Sequence, residues 1–135
     1  MPNQTASARS AIAEKLLWID CLAGGIVGLF VLTFSGWLSE LYGLPRQVLL
    51  FTGVANLVYA SFSFSLAVRR ERPLSLLYLL IVANAAWVPV CFGLAVTFLS
   101  SATAFGVIHL AGEGVFVGGL AALEWSFRGQ LRERP

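Results

Sequence analysis

From Leu74 to Gly112 the chain runs 39 residues without a charged side chain. One helix of that length would reach roughly 58 Å, almost twice the ~30 Å hydrocarbon core of a bilayer. The run must therefore fold back on itself. Ser100-Ser101-Ala102-Thr103 is the natural break, because hydroxyl side chains favour turns and helix N-caps.

Two further runs have membrane length. Leu16 to Leu38 holds a single charge, Asp20, and Gln47 to Val68 holds none over 22 residues. Apolar residues make up 58% of the 135-residue chain and charged residues 12%. Soluble domains carry about a quarter charged residues. A soluble chain this short has too high a surface-to-volume ratio to hide so much apolar surface. The sequence thus excludes an ordinary soluble enzyme, a disordered tail and a disulfide scaffold. It specifies a single transmembrane domain over 1–135, with spans at about 16–38, 47–68, 74–98 and 102–126. The expected fold is all-α, an antiparallel four-helix transmembrane bundle.

Basic residues orient it. Arg9, Lys15, Arg69, Arg70, Arg72, Arg128, Arg132 and Arg134 fall on one side and only Arg46 on the other. Both the N- and C-termini are therefore expected to be cytoplasmic. Trp18, Trp37 and Trp125 stand near helix ends, where interfacial aromatics belong. The first apolar run exceeds the about 7–15 residues of a signal-peptide core, and no A-x-A site follows it, so it reads as a retained span. The basic residues flank apolar runs instead of clustering on a solvated face, which argues against nucleic acid as a partner. The lipid bilayer is the partner the composition does imply.

Polar groups inside the spans are the informative positions, since lipid cannot satisfy them. Asn56, Asn84 and Glu113 fall near the midplane, with His109 one turn outward from Glu113 and with Asp20 and Glu124 nearer the cytoplasmic side. At 100° per residue, His109, Glu113 and Glu124 share an arc of about 60°. Thr52, Asn56 and Ser63 share a face, as do Asn84 with Cys91 and Asp20 with Gly24. These stripes are expected to meet inside the bundle.

The candidates for ligand binding or proton relay are Glu113, His109, Asn84, Asn56 and Asp20. Each has a structural alternative. Glu113 can serve as a carboxyl hydrogen-bonded to Asn56 or Asn84 that only holds the bundle together. His109 can be satisfied by Glu113 at i, i+4. Asn56 and Asn84 can be interhelical donors, and Asp20 can pair with a loop arginine. Glu124 is expected to reach Arg128, also at i, i+4. Pro89 is expected to free the Ala85 carbonyl and bend the third span mildly.

A zinc site needs three or four ligands, and this chain has one histidine and two cysteines. No metal and no cofactor are implied. Cys21 and Cys91 lie at depths that differ by about 18 Å, too far for a disulfide, so both are expected to be free. Gly24 and Gly28 on the first span, and Gly114 and Gly118 on the fourth, form GxxxG pairs. They can bring helices of one chain together or build a homo-oligomer.

Asp20, Gly43-Leu44-Pro45, Ala83-Asn84-x-x-Trp87 and Leu123-Glu124-Trp125 carry a resemblance across most of the chain. In these features it resembles small bacterial four-span inner-membrane proteins without a firmly assigned function. The resemblance implies a bacterial inner (plasma) membrane location and no reaction. The four-span size is also similar to DoxX-like proteins and glutathione-linked membrane enzymes, but no motif residues match either.

No nucleophile–base–orienter set is assembled, because the single histidine is paired within a span. The first functional expectation is accordingly a non-enzymatic binding or accessory protein, whose polar core holds the bundle together or cradles a small apolar ligand with Glu113 and Asn84 as anchors. The rival is a proton-linked transporter or channel subunit acting as an oligomer. A third class is a membrane-embedded enzyme acting on lipid or quinone.

Overall fold

The computed structural model describes residues 2–132. Six helices follow in order: α1 (Pro2–Thr33), α2 (Ser35–Tyr42), α3 (Arg46–Ala67), α4 (Leu74–Thr97), α5 (Ala104–Ser126) and α6 (Arg128–Leu131). Four of them, α1, α3, α4 and α5, are long and apolar enough to cross a membrane. The protein is thus an all-helical, four-span, multi-pass membrane protein.

α1 differs from the charge-bounded run. It begins at Pro2, well before Leu16, and ends at Thr33, before Leu38. Helical propensity carries the polar stretch Gln4-Thr5-Ala6-Ser7-Ala8-Arg9 onto the front of the apolar run. A turn at Phe34 then separates α2. α4 continues through Pro89.

The connections are built from local chemistry. α2 ends at Gly43, whose φ of 63° is left-handed and whose N–H donates to the Ser39 carbonyl. A Cβ there would lie 2.3 Å from the Ser101 carbonyl oxygen, so both the conformation and the space require glycine. Pro45 stands as the N-cap of α3, one residue before the helix. Thr103 caps α5 through Gly106 N–H. Its own N–H and hydroxyl donate to the carbonyls of Tyr42 and Leu41 at 2.8 and 2.7 Å, which ties the end of α2 to the start of α5.

At the other end, Arg72 is 3% exposed. Its guanidinium donates to the carbonyls of Leu66, Ala67 and Leu131 at 2.7, 3.1 and 3.0 Å. Its backbone N–H reaches the Arg132 carbonyl at 2.8 Å. One side chain thus satisfies the open carbonyls of α3 and binds the chain after α5 to the α3–α4 loop.

The helices form two tight pairs, α1 with α3 and α4 with α5. Glycines make this closeness. A Cβ on Gly28 would come within 3.0 Å of Leu57 and the Gly53 carbonyl, and one on Gly114 within 2.9 Å of Phe92. Both GxxxG faces are therefore covered within the chain. Between the pairs, α3 barely touches α4 and α1 barely touches α5.

The arrangement of polarity is inverted relative to a soluble bundle. Ile26, Val58, Val96, Ile108 and Val115 are each about two-thirds exposed, whereas Asp20, Thr52, Ser63, Asn84 and Glu124 are buried. Lipid is the solvent for such an exterior. Two apolar clusters fill the ends of the bundle. Ala13, Leu17, Leu66, Ala67, Leu77, Leu80 and Leu131 pack together at one end. Val31, Leu38, Tyr42, Leu44, Leu49, Ala95 and Leu110 pack at the other. The polar layer lies between them.

Candidate functional site

The seam between the two helix pairs is bridged by polar side chains, and they form two clusters. In the first, Asp20 of α1 accepts from the Tyr59 hydroxyl of α3 and from Asn84 Nδ2 of α4 at 3.2 Å. The same Asn84 nitrogen donates to Glu124 Oε2 of α5 at 3.1 Å. Asp20 is 2% exposed and Glu124 is fully buried. One amide nitrogen thus holds two carboxyls, and all four spanning helices meet at this point. Glu124 Oε1 has no hydrogen-bond partner among the described residues.

In the second cluster, Glu113 Oε1 of α5 accepts from Asn56 Nδ2 of α3 and from Trp87 Nε1 of α4, both at 2.8 Å. Glu113 Oε2 lies 3.5 Å from His109 Nε2, one turn away. The His109 ring stacks on Tyr42 at 5.0 Å between centroids, with Nδ1 3.4 Å from the phenol oxygen. Asn56 also donates to the Thr52 carbonyl at 2.9 Å, which fixes the orientation of its amide.

A small cavity of about 40 Å³ separates the clusters, with Asp20, Asn56, Tyr59 and Glu113 among its walls. A water molecule needs roughly 10–15 Å³ of such space and two to four polar partners. The cavity meets both conditions.

A second space opens sideways between α3 and α4, where the helix pairs stand apart. It is an apolar groove of about 760 Å³. Phe51, Val58, Tyr59, Phe62, Ala83 and Trp87 are among its walls. Tyr59 and Trp87 belong to both regions. Their rings face the groove, and their O–H and N–H groups hold Asp20 and Glu113.

The structure therefore brings all five sequence candidates into one polar layer. Glu113 and Asn56 bond each other directly, as do Asp20 and Asn84, and His109 adjoins Glu113. Of the two amides expected for Glu113, Asn56 is its partner, and Asn84 serves Asp20 and Glu124. Two expectations need correction. Asp20 takes Tyr59 and Asn84 as partners, not a loop arginine, because its turn of α1 faces the seam. Glu124 turns inward to Asn84, while Arg128 bonds the Trp125 carbonyl at 2.6 Å and lies over the Trp125 ring.

Sequence reasoning missed Tyr59 and Trp87. Each is an amphipathic aromatic within an apolar run, and its buried polar tip must find a partner. A heteroatom at midspan on the same helix face as Asn56 or Asn84 was the available signal. Cys21 and Cys91 are both free. Among the described residues, no three His, Cys, Asp or Glu side chains group as metal ligands.

Comparison with protein-family models, with curated proteins and with solved structures finds no match.

Proposed function

We propose that this protein is a non-enzymatic membrane binding protein that takes a small, largely apolar molecule sideways from the lipid. The carrying observation is the 760 Å³ groove, whose inner wall is made by the two aromatic donors to Asp20 and Glu113. Small-molecule sites commonly enclose about 300–1,000 Å³ with few polar groups. Glu113 and Asn84 anchor the polar layer behind that wall. The apolar clusters at both ends favour lateral access over passage along the bundle axis.

In this reading the helices alternate in direction. The contact order supports it, since Gly24 meets Ala60 while Gly53 meets Leu32. The basic residues favour a cytoplasmic side for both termini and the α3–α4 loop. The sequence resemblance favours a bacterial inner membrane. On the spanning helices, Gly93, Gly112 and Gly119 have open space beside them and are the glycines offered to a homo-oligomer contact.

The test is photolabelling in lipid nanodiscs with an uncharged alkyl diazirine. Labels should concentrate on the facing segments 50–62 and 79–87. Ala83→Trp fills the groove and should remove them. Labelling that Ala83→Trp leaves unchanged would refute the reading.

A second reading is proton-linked transport by an oligomer. It is favoured by the row Tyr42, His109 and Glu113, which leads to the hydrated-size cavity and Asp20. Reconstituted protein should then carry a proton-driven flux that Glu113→Gln abolishes without unfolding the bundle. Retention of that flux by Glu113→Gln would dismiss it.

A further inference from the structure

We propose that the groove is selective for a lipophilic organic cation, a bulky amine or onium ion with apolar substituents; this rests on the groove being the binding site. Charge complementarity is the first argument. Three carboxyls, Asp20, Glu113 and Glu124, stand in the seam, yet segments 16–45, 47–68 and 73–127 contain no lysine or arginine. Their described partners are neutral donors and one histidine. Glu113 Oε2 has only His109 Nε2 at 3.5 Å, and Glu124 Oε1 has no hydrogen-bond partner among the described residues. An anionic guest would meet like charge here, and a cation would meet its complement.

The second argument is the wall itself. Four aromatic side chains, Phe51, Tyr59, Phe62 and Trp87, line the groove. Phe51 and Trp87 pack together in this wall, with ring centroids 5.8 Å apart and planes tilted by 41°. Aromatic faces of this kind hold quaternary ammonium groups. Tyr59 donates to Asp20 and Trp87 donates to Glu113. Such a hydrogen bond pushes electron density into the ring and strengthens its attraction for a cation. The cation can thus rest on the aromatic faces while Glu113 and Asp20, one ring away, supply the counter-charge. The remainder of the wall is aliphatic and suits the cation's apolar substituents.

The full chain in phosphatidylcholine nanodiscs would be titrated with tetraphenylphosphonium and with its anionic isostere, tetraphenylborate. Binding is counted above that of empty nanodiscs. Tetraphenylphosphonium should bind saturably and tetraphenylborate should not. Glu113→Gln keeps the acceptor for Asn56 and Trp87 and should weaken phosphonium binding about ten-fold or more. Should that variant not fold, Trp87→Leu tests the same wall and should have a similar effect. Equal binding of both ions, or phosphonium binding unchanged in these variants, overturns cation selectivity. If neither ion binds while the uncharged diazirine still labels the groove, the cation proposal fails and the binding site stands. If the diazirine also fails, both fall, and the groove is a surface for bulk lipid or a second copy.

Discussion

At the scale of single residues, two side chains carry unusual structural duties. Arg72 donates to three backbone carbonyls on two elements. Its alanine variant should lose about 1.5–3 kcal/mol of stability, the range for hydrogen bonds to a charged group. Lysine should not restore it, because only the planar fork reaches several carbonyls together. Unfolding of detergent-solubilised protein followed by circular dichroism measures both. Asn84 has the second duty. Asn84→Leu removes the donor to Asp20 and Glu124 at once and should cost about 1–3 kcal/mol. If Asn84→Leu unfolds like wild type, the bridge contributes nothing to stability. In sequence, Asn84 was legible because an amide at midspan always needs a partner. Arg72 was not, because a loop arginine next to Arg69 and Arg70 looks like one more orienting charge. Glu124 was misjudged for a related reason. Its spacing to Arg128 fits an ion pair, and only the packed bundle reveals that its face points to the seam.

At the scale of elements, the charge-free runs already located the four spanning helices, because hydrocarbon forces each backbone polar group into helical pairing. The break before Thr103 followed from hydroxyl chemistry. The length of α1 and the turn at Phe34 did not: α1 runs on through Arg9, Glu14 and Lys15, the charges that bound the apolar run, and the turn at Phe34 falls inside that run with no charge or proline as a mark. Helix pairing was only half legible. The GxxxG motifs announced close packing but not the partner, and the answer is intrachain on both helices. Gly28→Ala places a Cβ within 3.0 Å of Leu57 and of the Gly53 carbonyl oxygen. Backbone oxygen cannot rotate away, so α1 and α3 must separate, at a cost of about 1–3 kcal/mol. Gly119→Ala, with nothing within 4 Å, should leave the monomer's stability unchanged. Equal melting temperatures for the two variants would contradict this account of the α1–α3 contact.

At the scale of the whole molecule, the proposed orientation makes a prediction about accessibility. Cysteines placed singly at Glu71 and Arg9, in a background lacking Cys21 and Cys91, should react with an impermeant maleimide from the same side of sealed vesicles. A cysteine at Glu40 should react only from the opposite side. Labelling of positions 9 and 71 from different sides would refute the arrangement. The groove could not be read from the sequence at all. It arises because two close pairs leave a gap where they meet, and periodicity reports which face is buried, not how far away the neighbour stands.

That gap has a mechanical consequence. The pairs are stiff, since glycines set backbone against backbone in α1–α3 and side chains against backbone in α4–α5. At the level of the groove, two side-chain hydrogen bonds cross the seam, Asn56 to Glu113 at 2.8 Å and Asn84 to Asp20 at 3.2 Å, with the apolar clusters at either end. Bending and sliding within a pair meet atomic overlap, whereas parting the pairs at that level stretches these two links. The seam is therefore the compliant direction of the molecule, and it lies in the plane of the bilayer. Lateral pressure among the acyl chains acts along that direction. The thickness and chain order of the surrounding membrane set the width of the opening, much as a spring sets the gape of a clip.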